Sequence, residues 1–183
     1  MSATVQTGYF FMPEHIILVG ASERPHSLGE RIFSHLLGSS YQGKITPVNL
    51  RHSSVAGIPS YSSLSKIPGQ ADLVVAVIPP DHYDSLFKAC RKKDLRHIIL
   101  IQDWENLPPE SCKNARSIIQ KYHGDELNIT VCNSAGIQLP SLNLNIGTQA
   151  DYPAGHIALL TGHSTVSRNI NHLLNTLHQG VSR

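Results

Sequence analysis

One stretch of this 183-residue chain combines the residue types that bind phosphate. Half of residues 20–29 are small, hydroxyl-bearing or glycine, and the segment follows an apolar run. Ser27 and Glu30 match the S-x-x-E pattern of a helix start, where free amides and a partial positive charge suit an anion. The two glycines lie nine positions apart, so the G-x-G-x-x-G fingerprint is missing. Two interpretations stay open here, a phosphate site and a plain strand-to-helix turn.

A second candidate position follows the next apolar run, where the sequence is Asn49-Leu50-Arg51-His52. A sheet that binds NAD usually places an acidic residue there to hold the ribose diol. A base instead favours an extra phosphate on the ribose, either the 2′-phosphate of NADP or the 3′-phosphate of coenzyme A (CoA), with Arg51 as its ligand. A solvated loop arginine is the alternative.

The elements that must position these residues are predicted by hydrophobic periodicity. Five apolar runs without polar alternation, residues 16–19, 44–48, 73–78, 97–101 and 128–132, are typical of strands covered on both faces. Helices are predicted to start at Ser27, at Asp81 as a cap, and at Pro108-Pro109. The pattern predicts an α/β fold, a Rossmann-like doubly wound parallel sheet of five or more strands with helices on both faces. Its ligand crevice would lie at the carboxyl ends of the strands.

The end of the chain predicts one more strand and helix. Residues 157–160 form an apolar run, and the helix after it carries an apolar stripe, namely Val166, Ile170, Leu173, Leu174 and Leu177. We therefore expect a domain over residues 1–152 and a strand-helix extension over residues 153–183. The unpartnered stripe leaves a homo-oligomer open.

Composition excludes several classes of protein. Apolar residues make up 40% of the chain, and 15 Lys+Arg against 13 Asp+Glu give a net charge of +2, which predicts a globular protein without a nucleic-acid footprint. No window approaches 18 consecutive apolar residues, and the N-terminus lacks a secretory pattern, so we expect a cytoplasmic protein without a membrane segment. Cys90, Cys112 and Cys132 form no C-x-x-C pair and are predicted to be buried free thiols.

Catalytic and metal-binding residues are not predicted. The 11 histidines show no metal-ligand spacing, so no metal site is expected. His163, next to Ser164, has no acidic partner at a recognisable spacing. Asp103 and Glu105 are expected to be a solvated strand end rather than paired catalytic carboxylates.

Several segments in this order resemble one family. Residues 17–25 with residues 27–29 resemble its opening strand and phosphate loop, and residues 43–49 (Gly-Lys-Ile-Thr-Pro-Val-Asn) resemble its second strand. Residues 57–61 and 72–80 continue the match. The chain thus resembles, over about residues 10 to 180, the CoA-binding domain shared by the succinyl-CoA synthetase alpha subunit, NDP-forming acyl-CoA synthetases and acyl-CoA synthetase-like lysine acetyltransferases.

The resemblance implies CoA or acyl-CoA as the ligand and a role for twelve residues. It assigns the pyrophosphate to the first loop, through Gly20, Ala21, Ser22, Ser27 and Gly29, with Arg24 and Leu28 as further cofactor-binding residues. It implies that Asn49 and Arg51 face the adenosine and its 3′-phosphate, that Ile78 and Pro79 line the adenine side, and that Gln102 lies near the pantetheine arm. An acidic side chain at Ser22 or Gly29 is expected to abolish binding and leave stability nearly intact.

The departures from the family lie toward the thioester end, at residues 131–136 and 161–164. The resemblance places the phosphohistidine, the ATP-grasp domain and the acetyltransferase domain outside these 183 residues. We therefore expect CoA binding without complete turnover, as the N-terminal domain or remnant of a ligase or acyltransferase that needs an ATP-grasp or acetyltransferase partner or domain. An NADP-binding oxidoreductase or sensor domain, and a degenerate interaction domain without ligand, are the alternatives.

Overall fold

The five predicted apolar runs form one parallel sheet in the computed structural model, which describes residues 12–124 and 127–182. The strands in chain order are β1 (His15–Val19), β2 (Lys44–Val48), β3 (Ser54–Val55), β4 (Ile58–Pro59), β5 (Leu73–Ala76), β6 (His97–Ile101), β7 (Asn128–Cys132), β8 (Ile137–Leu139), β9 (Leu144–Ile146) and β10 (Ala154–Ile157). The sheet order is β2-β1-β5-β6-β7, and every neighbouring pair is parallel. The chain leaves β1 toward β2 on one side and returns to β5 on the other, so the strand order reverses at β1.

Within the described residues, four α-helices accompany the strands: α1 (Leu28–Gly38), α2 (Tyr83–Lys92), α3 (Pro109–Tyr122) and α4 (Ser164–Thr176). Ser27 caps α1, since its Oγ atom accepts the N–H of Glu30 at 3.2 Å, but the Glu30 carboxylate accepts the hydroxyl of Ser34 instead of reaching back. Half of the predicted capping box is therefore confirmed. The predicted cap at Asp81 is wrong, because residues 80–82 form a 3-10 turn and α2 begins after it without a side-chain cap.

The sheet is buried on both faces, which explains its continuous apolar runs. On one face, Ile16, Leu18 and Val75 pack against α1 and against the β8–β9 hairpin, which pairs antiparallel. On the other face, Val74 and Ile98 pack against α2 and α3. The predicted fold class is confirmed, but the hairpin that shares one face with α1 was not predicted.

The prediction of a strand over residues 157–160 is wrong, because the observed strand lies three residues earlier in the chain. The observed strand, β10, ends at Ile157 and forms bridges only with Val181 among the described residues, and Leu160 is fully exposed. Gly155 lies against the backbone of Gly180, where an added Cβ atom would come within 2.4 Å, so this close approach fixes the strand upstream of the apolar run.

The predicted helix near the end of the sequence is confirmed, with only part of its apolar stripe buried. Leu174 packs against Tyr152 and Val181, whereas Val166, Leu173 and Leu177 are exposed. The Tyr152 hydroxyl donates to the Ser167 carbonyl at 2.7 Å, so polar contacts also hold α4. In the ranges that the structure describes, no helix has the length and hydrophobicity needed to cross a bilayer.

Candidate functional site

A cavity of about 990 Å³ lies at the carboxyl ends of β1, β2 and β5, at the point where the strand order reverses. Its volume is at the upper end of the range for small-molecule sites, about 300–1,000 Å³. The structure brings all twelve predicted residues together in its lining: Gly20, Ala21, Ser22, Arg24, Ser27, Leu28, Gly29, Asn49, Arg51, Ile78, Pro79 and Gln102.

The turn after β1 passes between the backbones of its two neighbouring strands. Gly20 has a φ of +92°, and its N–H donates to the carbonyl of Val48 at 3.1 Å. An added Cβ atom would lie 2.3 Å from the carbonyl oxygen of Val77. Glycine is therefore required at this position both by its φ and by the close approach.

The first turn of α1 packs directly on this turn. A Cβ atom at Gly29 would lie 2.1 Å from the carbonyl oxygen of Gly20. The close approach brings Leu28 and Gly29 into the cavity lining, at a helix start that carries amides without intrahelical partners. The expectation that Gly29 accepts an acidic side chain without loss of stability is wrong, because the Cβ atom alone would collide with the backbone.

Hydrogen bonds within and beyond the loop fix the rest of its path. The Oγ atom of Ser22 accepts the N–H of Arg24 at 3.0 Å, and the carbonyl of Arg24 accepts the N–H of Ser27 at 3.1 Å. The carboxylate of Glu23 accepts the N–H of Ala56, in the turn between β3 and β4. Glu23 is the only acidic residue among the described lining residues, and this bond already engages its carboxylate.

The second loop is tied to the first by a single carboxamide. The Nδ2 atom of Asn49 donates to the carbonyl of Ala21 at 2.8 Å, and its Oδ1 atom accepts the N–H groups of Arg51 and His52 at 2.8 and 3.0 Å. Asn49 is therefore a positioning residue for both loops. Arg51 is exposed and lines the cavity.

The opposite wall comes from the segments after β5 and β6. Ile78 and Pro79 follow β5. The helix α2 adds one polar side chain, Ser85, and two apolar side chains, Leu86 and Ala89, to this wall. Gln102 follows β6, where its N–H donates to the carbonyl of Cys132 at 3.3 Å and its Oε1 atom accepts the N–H of Asp103 at 3.0 Å. These bonds hold the Gln102 side chain near the end of the sheet.

Sequence reasoning missed about half of the lining. The additional residues are Val19, Glu23, Val48, Leu50, His52, Ser62, Ser63, Leu64, Val77, His82, Ser85, Leu86 and Ala89. For some of them a signal was present. Ser85, Leu86 and Ala89 lie at i, i+1 and i+4 in a predicted helix that follows a strand end, and His52 is next to Arg51. Residues 62–64 come from an irregular segment after β4, which periodicity does not place.

The thiols of Cys90 and Cys132 are protonated at neutral pH. Burial raises the pKa of the Cys132 thiol, at the end of β7, to about 11, and that of Cys90 to about 12. A thiol rather than a thiolate is a poor nucleophile, so neither cysteine is poised for covalent chemistry. All three cysteines are free, and Cys90 is buried as predicted, whereas Cys112 and Cys132 are only partly buried.

His163 has an acidic partner, contrary to the sequence-based expectation. Its Nδ1 atom lies 3.2 Å from the Oε1 atom of Glu105, in an exposed pair that is not part of the cavity lining. The two residues are 58 positions apart, so no spacing rule could have paired them. The side chain of Asn133 donates to the carbonyl of Gly162 at 3.0 Å, which also holds the start of α4 against the sheet edge.

Comparison with relatives of known activity gives moderate identity over most of the chain. The chain is 29% identical over 164 residues to the alpha subunit of ADP-forming acetate–CoA ligase II of Pyrococcus furiosus, a match that covers 88% of this chain and 35% of that subunit. It is 24% identical over 178 residues to the ADP-forming acetate–CoA ligase of Methanocaldococcus jannaschii, covering 96% of this chain and 25% of that enzyme. The chain thus spans about a third or less of these relatives.

Solved structures share the fold. PH0766 from Pyrococcus horikoshii OT3 superimposes with a TM-score of 0.78 at 25% identity, over 96% of this chain and 40% of that protein. The apo form of the dinucleotide-forming acetyl-coenzyme A synthetase 1 of Ca. Korarchaeum cryptofilum gives a TM-score of 0.82 at 20% identity, over 96% of this chain and 38% of that one.

A family model settles the relationship. Residues 14–139 match the model of the CoA binding domain, a segment that contains every described residue of the cavity lining. Since the match covers more than half of the chain, this protein belongs to the CoA-binding domain family.

Proposed function

We propose that the cavity binds CoA or an acyl-CoA. The observation that carries the proposal is a coincidence of position: the CoA binding domain match contains the whole lining of a cavity at the switch point of the sheet. Open parallel sheets bind their ligands at this point.

The proposed orientation follows the two loops. The pyrophosphate lies on the loop of residues 20–29 and the first turn of α1, and Arg51 binds the 3′-phosphate. Ile78 and Pro79 face the adenine, and Gln102 lies toward the pantetheine arm. Helix N-termini and tight glycine turns bind phosphates through backbone amides, and a guanidinium binds them through paired donors.

The charge of the lining supports an anionic ligand. Arg24 and Arg51 both line the cavity, and the carboxylate of Glu23, on the same loop as Arg24, is engaged by the N–H of Ala56. The phosphates of CoA would therefore meet two guanidinium groups and one carboxylate that is already hydrogen-bonded. The base at Arg51 also suits the 2′-phosphate of NADP, so NADPH is the relevant competitor in a binding test.

We propose that binding is the contribution of this chain to a larger ligase reaction in the cytoplasm. The curated relatives are acid–CoA ligases, and the chain aligns with about a third of their length or less. In this proposal residues 1–152 form the CoA domain, residues 153–183 form an extension toward a second domain, and an ATP-grasp partner supplies the nucleotide chemistry. Burial raises the pKa of the Cys132 thiol, so the proposal assigns no acyl transfer to this thiol.

A substitution at Ser22 tests the site. Ser22→Glu places a carboxylate beside the proposed pyrophosphate, so calorimetric titration with CoA should show at least a tenfold loss of affinity, with the melting temperature nearly unchanged. Ser22→Thr keeps the hydroxyl and serves as the matched control. If Ser22→Glu binds CoA as wild type does, the pyrophosphate does not lie on this loop.

A further inference from the structure

The turn after β2 presents two consecutive basic residues to the cavity. Arg51 and His52 both line it, and the N–H groups of both donate to the Oδ1 atom of Asn49. The carbonyl of His52 also accepts the hydroxyl of Ser60, so the backbone is fixed on both sides of the pair. One pinned turn therefore contributes two consecutive basic residues to the cavity lining.

The other charged or titratable residues of the described lining come from other elements. Glu23 and Arg24 belong to the loop after β1, and His82 comes just before α2 on the far side of β1. The lining also contains uncharged residues from other segments, including Ser62, Ser63, Leu64, Ser85 and Gln102. His52 is thus the only titratable residue of this lining that shares its anchor with Arg51.

We propose that His52 in its protonated form binds the same 3′-phosphate as Arg51, so that CoA binding takes up a proton at the His52 ring. This inference rests on the CoA site proposed above and adds a second, proton-dependent ligand to it. Histidine changes charge between pH 5 and 8, and a hydrogen bond from an imidazolium to phosphate is about twice as strong as one between neutral groups. The step forms one N–H bond on the imidazole ring and breaks one bond to hydrogen in hydronium or the buffer acid, and no bond of CoA breaks.

Calorimetry with CoA and dephospho-CoA between pH 7.0 and 8.5 tests the proposal. A phosphate monoester, with its second pKa near 6, keeps nearly its full charge in this range, so the ligand contributes little. For wild type, we expect the Kd of CoA to rise roughly fivefold from pH 7.0 to 8.5 and the Kd of dephospho-CoA to stay constant. Titration at pH 7.5 in two buffers of different ionisation enthalpy should show proton uptake with CoA only.

Variants assign the proton. His52→Gln should bind CoA without proton uptake and without the pH dependence, and His52→Lys should bind CoA at pH 8.5 as tightly as wild type does at pH 7.0. His172→Gln, on an exposed position of α4, is the matched control and should behave as wild type.

Two outcomes overturn the inference without touching the CoA site. One is CoA binding that depends on Arg51 but takes up no proton, and the other is uptake that survives in His52→Gln and is lost in His82→Gln. Absence of CoA binding by the folded wild-type chain overturns the proposed function itself, so the two failures are distinguishable.

Discussion

The carboxamide of Asn49 donates from Nδ2 to the carbonyl oxygen of Ala21 at 2.8 Å and so joins the loop after β2 to the loop after β1. Its Oδ1 atom accepts the N–H groups of Arg51 and His52. This side chain therefore links the proposed pyrophosphate loop to the segment that carries the proposed 3′-phosphate ligand.

Replacement of Asn49 should weaken both stability and binding. Asn49→Ala removes three hydrogen bonds to backbone groups, which should lower the free energy of unfolding by about 1–3 kcal/mol. CoA affinity should fall more than this loss of folded protein explains, because the two loops are no longer held together. Urea unfolding and calorimetry measure the two effects, and Asn169→Ala on an exposed position of α4 is the control. Unchanged CoA affinity would show that Asn49 does not position the site.

Gly29 should be intolerant of any side chain. Gly29→Ala places a Cβ atom 2.1 Å from the carbonyl oxygen of Gly20, and the backbone must move to relieve the contact. We expect a loss of at least about 2 kcal/mol in the free energy of unfolding. Gly38→Ala, at the other end of the same helix, has nothing within 4 Å of the new atom and should be neutral or stabilising by up to about 1 kcal/mol. Equal stability of the two variants in urea unfolding would contradict the packing described for the first turn.

The hydroxyl of Tyr83 should contribute nothing to stability. The residue is fully buried, and its oxygen has no hydrogen-bond partner among the described residues. Tyr83→Phe should therefore leave stability unchanged or raise it by about 1 kcal/mol, because an unpaired buried hydroxyl is costly. Tyr152→Phe is the matched control, since its hydroxyl bonds to Ser167 at 2.7 Å, and it should destabilise. Thermal unfolding distinguishes the two, and a clear loss in Tyr83→Phe would disprove the assignment.

Alkaline pH should destabilise the fold. Burial raises the pKa of the Cys90 thiol from 9.0 to about 12, and burial followed by the nearby Asp72 and Glu14 raises that of the Tyr41 hydroxyl from 10.0 to about 12. The unfolded chain loses these protons first, so their stabilisation is complete below about pH 9 and is lost as pH rises toward 12. Urea midpoints measured at pH 8, 10 and 11 should fall steadily, with a smaller fall in Cys90→Ala. A midpoint that is constant from pH 8 to 11 would contradict these shifts.

The sheet was predictable because its strands are buried on both faces, and this burial leaves continuous apolar runs such as residues 73–76. The lining was partly predictable because the carboxyl ends of parallel strands meet at one edge of the sheet. The start of α2 was not, because Pro80 opens a 3-10 turn and displaces the helix from the cap that Asp81 suggested. The pairing of His163 with Glu105 and the bridge of Asn49 depend on contacts between distant segments, which local patterns do not record.

The identity of the ligand is the central claim, and one calorimetric series on the purified chain tests it most directly. CoA, dephospho-CoA and NADPH are titrated under one buffer condition into wild type and Arg51→Ala. We predict that CoA binds, that dephospho-CoA binds more weakly, and that NADPH does not bind. Arg51→Ala should bind CoA more weakly than wild type does, and it should bind dephospho-CoA as wild type does. Absence of heat with CoA from a folded sample, or tighter binding of NADPH than of CoA, would contradict the account.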